Sequence, residues 1–99
     1  MSSVHIAIFK WKEGTEEAKI DKALDVVRDL RLKVSGIKDI MCGRNYHPAS
    51  KGFTHGVVVI ADSREALEAY RHHPDHMVVA PLIEAIEQDG IGFDFDDLD

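Results

Sequence analysis

The chain has a single cysteine, Cys42. No internal disulfide can therefore form, and a reducing cytosol suits it better than secretion. It also lacks a surplus of positive charge: 12 Lys and Arg stand against 18 Asp and Glu, a net charge of −6. Phosphate binding needs the opposite sign, so nucleic acid is excluded as a partner. The longest basic run, Arg28-Asp-Leu-Arg-Leu-Lys33, is itself mixed. No apolar run approaches the ~20 residues of a membrane span. The opening Met-Ser-Ser-Val-His-Ile carries no basic leader, so a cytoplasmic protein without a membrane partner is expected. A glycine-rich phosphate loop, a Gly-x-Ser-x-Gly elbow and a second Cys/His group with zinc spacing are all missing. Cys42 shows no sign of activation in the sequence.

What is present suits one globular domain over residues 1–99, too short for a second core. Val4–Trp11 reads as a strand with two mostly apolar faces, so both faces should be covered. A helix starting near Thr15 carries Ile20, Ala23, Leu24, Val27 and Leu30 at 3–4 spacing and runs to Val34-Ser-Gly36, where glycine suits a left-handed cap. Ile37–Arg44 reads as extended, residues 45–52 as a loop, and Phe53–Ala61 as the strongest strand. Asp62 with Glu65 offers a capping box for a helix bearing Ala66, Leu67 and Tyr70. Pro74 interrupts it. A second helical stretch sets His76, Val79, Ala80, Ile83 and Ile86 on one face, and Ile91–Phe95 is a short last strand. Asp94, Asp96, Asp97 and Asp99 then read as an acidic, solvated tail from about residue 94. The order βαββαβ predicts an α+β, ferredoxin-like fold with a four-stranded antiparallel sheet and helices on one side. The sheet's second apolar face asks for a partner, and a sheet-to-sheet homodimer supplies it.

Three of the six histidines, His72, His73 and His76, crowd around Pro74. Pro74 breaks the register that would bring His72 and His76 together on a metal, so a transition-metal site is not expected. His72 and His73, on the turn, and His47, beside Pro48, read as surface residues. His5, His55, Tyr70 and His76 are different, because each sits on an apolar face. An unpaired buried polar group costs roughly 1–3 kcal/mol, so these four either satisfy one another or line a polar-floored cavity. Imidazole titrates near neutrality and a tyrosine hydroxyl can polarise an oxygen, which points to proton abstraction beside a carbonyl.

Three segments carry a family resemblance: His5-Ile-Ala-Ile-Phe-Lys-Trp-Lys-Glu-Gly14, Gly52-Phe-Thr-His-Gly56, and Glu68-Ala-Tyr-Arg-His-His-Pro-Asp-His76. With the link Gly36-Ile-Lys-Asp-Ile-Met-Cys-Gly-Arg44, they resemble the stress-responsive A/B barrel (Dabb) family over nearly the whole chain. That resemblance implies a homodimer whose two sheets close into a dimeric α+β barrel. Polyketide cyclases of plants within the family imply an aldol-type cyclisation. In it His76 acts as base, Tyr70 orients the carbonyl, and His5 and His55 support as hydrogen-bonders. Leu24, Val27 and Val57 would shape the substrate space. Leu24 and Val27 stand where the cyclases have aromatics, so a different substrate is implied. No cofactor is required. Some relatives hold a magnesium-like ion on backbone carbonyls, here those of Arg31, Val34 and Ile37.

Two readings lead on this basis, ahead of a structural assembly module that forms larger oligomers through the dimer and of a heme-degrading or quinone-forming monooxygenase on a similar barrel. One is a homodimer that binds a small carbonyl compound and transfers a proton on it. The other is a non-catalytic stress-response or ligand-binding dimer whose histidines complete a polar network.

Overall fold

The computed structural model describes residues 1–98. Four antiparallel strands form one sheet in the order β2-β3-β1-β4: β1 Ser3–Trp11, β2 Ile37–Arg44, β3 His55–Ala61 and β4 Glu87–Asp96. Helices α1 (Glu17–Asp29), α2 (Arg64–His72) and α3 (Pro74–Glu84) join them. The observed order is the expected βαββαβ, with its second helical element in two pieces.

Register decides which side chains meet. His5 stands opposite Val59, Ala7 opposite Val57 and Phe9 opposite His55, so these residues share the face beneath the helices. There α1 buries Ile20, Ala23, Leu24 and Val27, α2 buries Leu67 and Tyr70, and Ile40, Val59 and Ala61 come from the sheet. The other face carries Val4, Ile6 and Ile8 of β1, paired across β4 with Phe95, Phe93 and Ile91. These last three are 39%, 60% and 51% exposed, and Met41 of β2 is 49% exposed. A sheet face with this much bare apolar surface is open on one side.

Several boundaries differ from the sequence reading. The α-helical part of α1 stops at Asp29, and a 3-10 turn over Leu30–Leu32 follows. Gly36 lies beyond it at φ 85°, where a Cβ would come within 2.9 Å of the Ala66 Cβ. Only glycine tolerates both conditions. Ser63, not Asp62, caps α2: its side chain accepts from the Ala66 N–H. Phe53 and Thr54 fall outside β3, although the Thr54 N–H still donates to the Phe9 carbonyl at 2.9 Å.

The largest difference is β4, ten residues long where five were expected. Asp94 and Asp96 therefore belong to a strand and not to a solvated tail, while Asp99 lies outside the described residues. Alternating glycine and aspartate hid the strand, because its helix-side positions carry almost no apolar side chain.

The break between α2 and α3 has a local cause. His73 is in extended conformation (φ −65°, ψ 139°), and its Nδ1 accepts from the Asp75 N–H at 3.1 Å. It thus caps α3, with Pro74 at the first helical position, where a missing N–H costs nothing. His73 is half-buried and has this structural job, contrary to the surface role expected. No helix among the described residues is long and apolar enough to cross a membrane.

Candidate functional site

The helices cover the sheet unevenly. On β4 the helix-side positions opposite Phe9 and Ala7 are Gly90 and Gly92. Without side chains there, a cavity of about 310 Å³ remains between the sheet, α1 and α3. Its apolar walls include Ala7, Phe9, Val27, Val57, Val59, Val79 and Ile83, and its polar groups are His5, Tyr70, Arg71, His76, Glu84 and Glu87. Pro74 sets the angle between α2 and α3, so Tyr70 from one helix meets His76 from the next. Their ring centroids are 4.7 Å apart at 63°, edge to face.

The environments of these groups set their protonation. Tyr70 is 3% exposed. Burial, with Cys42 nearby, pushes its hydroxyl up to about 12, so it remains a donor at neutral pH. Burial also lowers His76, and the charges of His5, Arg71 and His72 add to this, against a bond to the Arg71 backbone that raises it. His76 is therefore a neutral imidazole at neutral pH. Its Nδ1 is buried and has no hydrogen-bond partner among the described residues. Such an orphan nitrogen is costly in a fold and useful in a site.

At the cavity mouth His5 Nδ1 lies 2.5 Å from Asp94 Oδ1, and Arg71 donates to Asp94 Oδ2 and, at 2.9 Å, to Glu68. Burial opposes ionisation of Asp94. The bonds from His5 and Arg71 outweigh it and hold the carboxyl below the usual carboxylate range. Asp94 and Arg71 were missed in the sequence. Arg71 sat in plain view beside Tyr70, but Asp94 meets His5 only through the β1–β4 register.

The structure separates His55 from this cavity. It is 5% exposed on the same sheet face, but its neighbours are Trp11, Thr54 and Glu17. The Trp11 indole donates to His55 Nδ1 at 2.9 Å. An indole N–H only donates, so Nδ1 is the acceptor and the proton sits on Nε2, 3.9 Å from Glu17 Oε1. Glu17, Asp21 and His55 do place ligand atoms within 4.8 Å of one another. With its proton on Nε2, however, His55 offers no lone pair there, and Arg44 already pairs with Glu17. Leu24 also falls outside, lining a separate depression with Cys42 and His55, whereas Val27 and Val57 line the cavity.

In the turn after α1, the Leu30 carbonyl takes the N–H groups of Lys33 and Val34, and the Gly36 carbonyl takes that of Asp62. The oxygens of Arg31 and Val34 lie outside those bonds. His47 has a local role: its Nδ1 accepts from the Ala49 N–H at 2.9 Å.

A pH dependence of stability follows from buried His55 and half-buried His76. Burial lowers His55 and His76 alike, whereas both titrate near ~6.5 when unfolded. Between ~6.5 and their lower folded values the unfolded chain binds more protons, so stability falls as pH falls through that window. Asp94 and Asp96, held low in the fold, contribute stability at higher pH that is lost as pH falls through their folded values. Melting temperature followed against pH should therefore begin to drop just below pH ~6.5. That first stage should shrink in a His55→Gln/His76→Gln double variant.

Comparison with known proteins agrees with this fold. The model of the stress responsive A/B barrel domain matches residues 4–97. Olivetolic acid cyclase of Cannabis sativa is 25% identical, covering 96% of each chain. The stress-response A/B barrel domain-containing protein DABB1 of Arabidopsis thaliana is 29% identical over 96% of this chain, which spans only 48% of that relative. Among solved structures, a dimeric ferredoxin-like protein of unknown function from Thermobifida fusca superposes with a TM-score of 0.83 at 23% identity, covering 96% of this chain and 90% of the other. Hydroxynitrile lyase from Passiflora edulis gives a TM-score of 0.87 at 16% identity, covering 95% and 91%. At these identities the two structures speak for the fold alone.

Proposed function

The chain belongs to the stress responsive A/B barrel domain family, and from that premise we propose that it is a homodimer whose cavity binds a small carbonyl compound and transfers a proton on it. The observation that carries this reading is the Tyr70–His76 pair. A neutral imidazole with an orphan nitrogen stands against a protonated phenol in the wall of a 310 Å³ apolar cavity. A relative named as a cyclase supports chemistry of this kind. The lone cysteine fits a cytoplasmic setting.

The steps use only groups of this chain. The apolar walls hold the hydrocarbon part of the ligand and exclude water, which strengthens every hydrogen bond inside. Tyr70 donates to the carbonyl oxygen. His76 takes a proton from the adjacent carbon, the C–H electron pair passes into the enolate, and the Tyr70 hydroxyl stabilises the charge that develops on oxygen. Aldol-type attack on a second carbonyl is then open to the enolate. His5 joins this site as a polar group at the mouth, and His55 drops out of it.

The sheet face bearing Ile6, Phe93 and Phe95 is the dimer surface in this reading, supported by neighbours described as dimeric. A structural magnesium ion on the carbonyls of Arg31, Val34 and Ile37 completes it, supported by the two oxygens that the turn's hydrogen bonds leave out. Failure of EDTA to lower, and of Mg²⁺ to restore, the melting temperature would remove that ion.

The proton-transfer step is tested with acetophenone in D₂O, following loss of its methyl signal by NMR. Wild type should accelerate exchange. Tyr70→Phe and His76→Ala should each slow it by about 10²-fold, within the range for general acid–base groups. Unchanged exchange in both variants would leave the non-catalytic ligand-binding dimer as the function.

A further inference from the structure

Two imidazoles line one cavity, and their surroundings differ. Among the described residues, His76 Nδ1 has no partner and no carboxylate bonds to the ring. His5 has a carboxylate against its Nδ1 at 2.5 Å. That carboxylate is fixed in turn by Arg71, which Glu68 holds from the other side. The Arg71 guanidinium also comes within 3.3 Å of His5 Nδ1. Both groups cannot use the same nitrogen in the same way. A 2.5 Å approach to a carboxylate oxygen needs a proton between the two atoms, so Nδ1 donates and Arg71 serves Asp94 instead. Nε2 of His5 then carries the lone pair or the exchangeable proton, on a ring that lines the cavity. Gly92, opposite Ala7, leaves the space beside this ring clear, since even an added Cβ there would stand 3.8 Å from His5 Cε1.

We propose that His5, positioned by Asp94, is a second proton-transferring group, which hands a proton to an oxygen of the substrate at the mouth of the cavity. The proposal rests on the proton-transfer reading above and extends it to a substrate with two oxygen functions, a carbonyl at Tyr70 and a second carbonyl or hydroxyl at His5. In the condensing direction each bond made is matched by one broken. Neutral His76 takes the proton from the carbon beside the first carbonyl. The electron pair of that C–H bond forms the new C–C bond to the second carbonyl carbon. The π pair of the second carbonyl moves to its oxygen, which takes the Nε2 proton of protonated His5. His76 ends protonated and His5 neutral, and solvent returns both to their starting states. Asp94 faces the positive charge that His5 carries and releases, and it fixes which nitrogen meets the substrate. Such a carboxylate–imidazole arrangement sets tautomer and orientation without itself touching substrate. Asp94 is a positioning residue, as is Arg71 behind it.

Two readouts test the proposal. In wild type, long-range ¹H–¹⁵N correlation of the histidine rings at neutral pH should show the proton of neutral His5 on Nδ1. Asp94→Asn should redistribute it toward Nε2. The second readout compares two probes. Acetophenone exchange in D₂O needs only the Tyr70–His76 side, whereas cleavage of 4-hydroxy-4-methylpentan-2-one to acetone, the reverse aldol, also needs a group at the hydroxyl. Asp94→Asn should slow cleavage about 10²-fold more than exchange. A wild type with His5 protonated on Nε2, a wild type that exchanges but does not cleave, or an Asp94→Asn variant with an unchanged ratio overturns the proposal alone. A wild type without exchange overturns the proton-transfer reading and this proposal together.

Discussion

Phe93→Glu is expected to convert a dimer into a monomer. Phe93 is 60% exposed in the single chain, in the middle of a face shared with Ile6 and Val4 and with Phe95, whose ring centroid lies 5.7 Å away. A chain of this size buries only about 60–65% of its unfolded surface, so an uncovered face of this kind weakens a thin margin. Pairing two such faces removes the exposure on both copies. A glutamate placed there would be a buried charge without a partner, which costs on the order of 3–5 kcal/mol. Light scattering across a concentration series should show wild type at twice the chain mass and the variant at one chain mass. The melting temperature of the variant should fall and lose its dependence on concentration. A wild type that stays monomeric would remove the sheet face as a dimer surface.

Leu67→Ala is expected to damage stability and site together. Leu67 is 2% exposed and belongs to the single core cluster, with Ile40, Val59 and Leu30. Truncating a buried leucine costs about 2–5 kcal/mol, the spread reflecting how far the cavity collapses. Small domains have only about 5–15 kcal/mol in all. Leu67 also lies three and four residues before Tyr70 and Arg71, on the same side of α2. Its contact with the sheet fixes how that helix presents both groups to the cavity. Urea unfolding should show a lower midpoint with an unchanged slope, and acetophenone exchange should slow even under conditions where the variant is folded. An unfolding free energy within about 0.5 kcal/mol of wild type would show that α2 is held by something else.

The sequence exposed those parts of the molecule that leave a periodic trace. The apolar stripe Ile20, Ala23, Leu24, Val27 marked α1, runs of β-branched and aromatic residues marked β1 and β3, and Pro74 marked the junction that brings Tyr70 to His76. Two things left no such trace. The first is the full length of β4, read only over Ile91–Phe95, because Gly90, Gly92, Asp94 and Asp96 occupy one face and leave it without apolar side chains. Their meaning is tertiary: the glycines clear the cavity, Asp94 holds His5, and Asp96 takes Arg64 at 2.6 Å. The second is the direction in which a histidine points along a shared face. His5 and His55 alternate identically with apolar residues, and period alone groups them. Distance along the strands separates them, since His55 stands opposite Phe9 and His5 opposite Val59. Trp11 then takes His55 into a structural bond. His73 is a third case, where a residue inside a chemical-looking cluster proved to be a helix cap.

Proton transfer of this kind requires that the space between sheet and helices receive a small carbonyl compound. The most direct measurement is an amide ¹H–¹⁵N map of the protein titrated with acetophenone. Saturable shifts are expected at Ala7, Val57, Tyr70, His76, Val79 and Ile83, weaker in Tyr70→Phe, with Ile6, Val58 and Phe93 unmoved. Shifts centred on the open sheet face, or none that saturate, would contradict binding between sheet and helices.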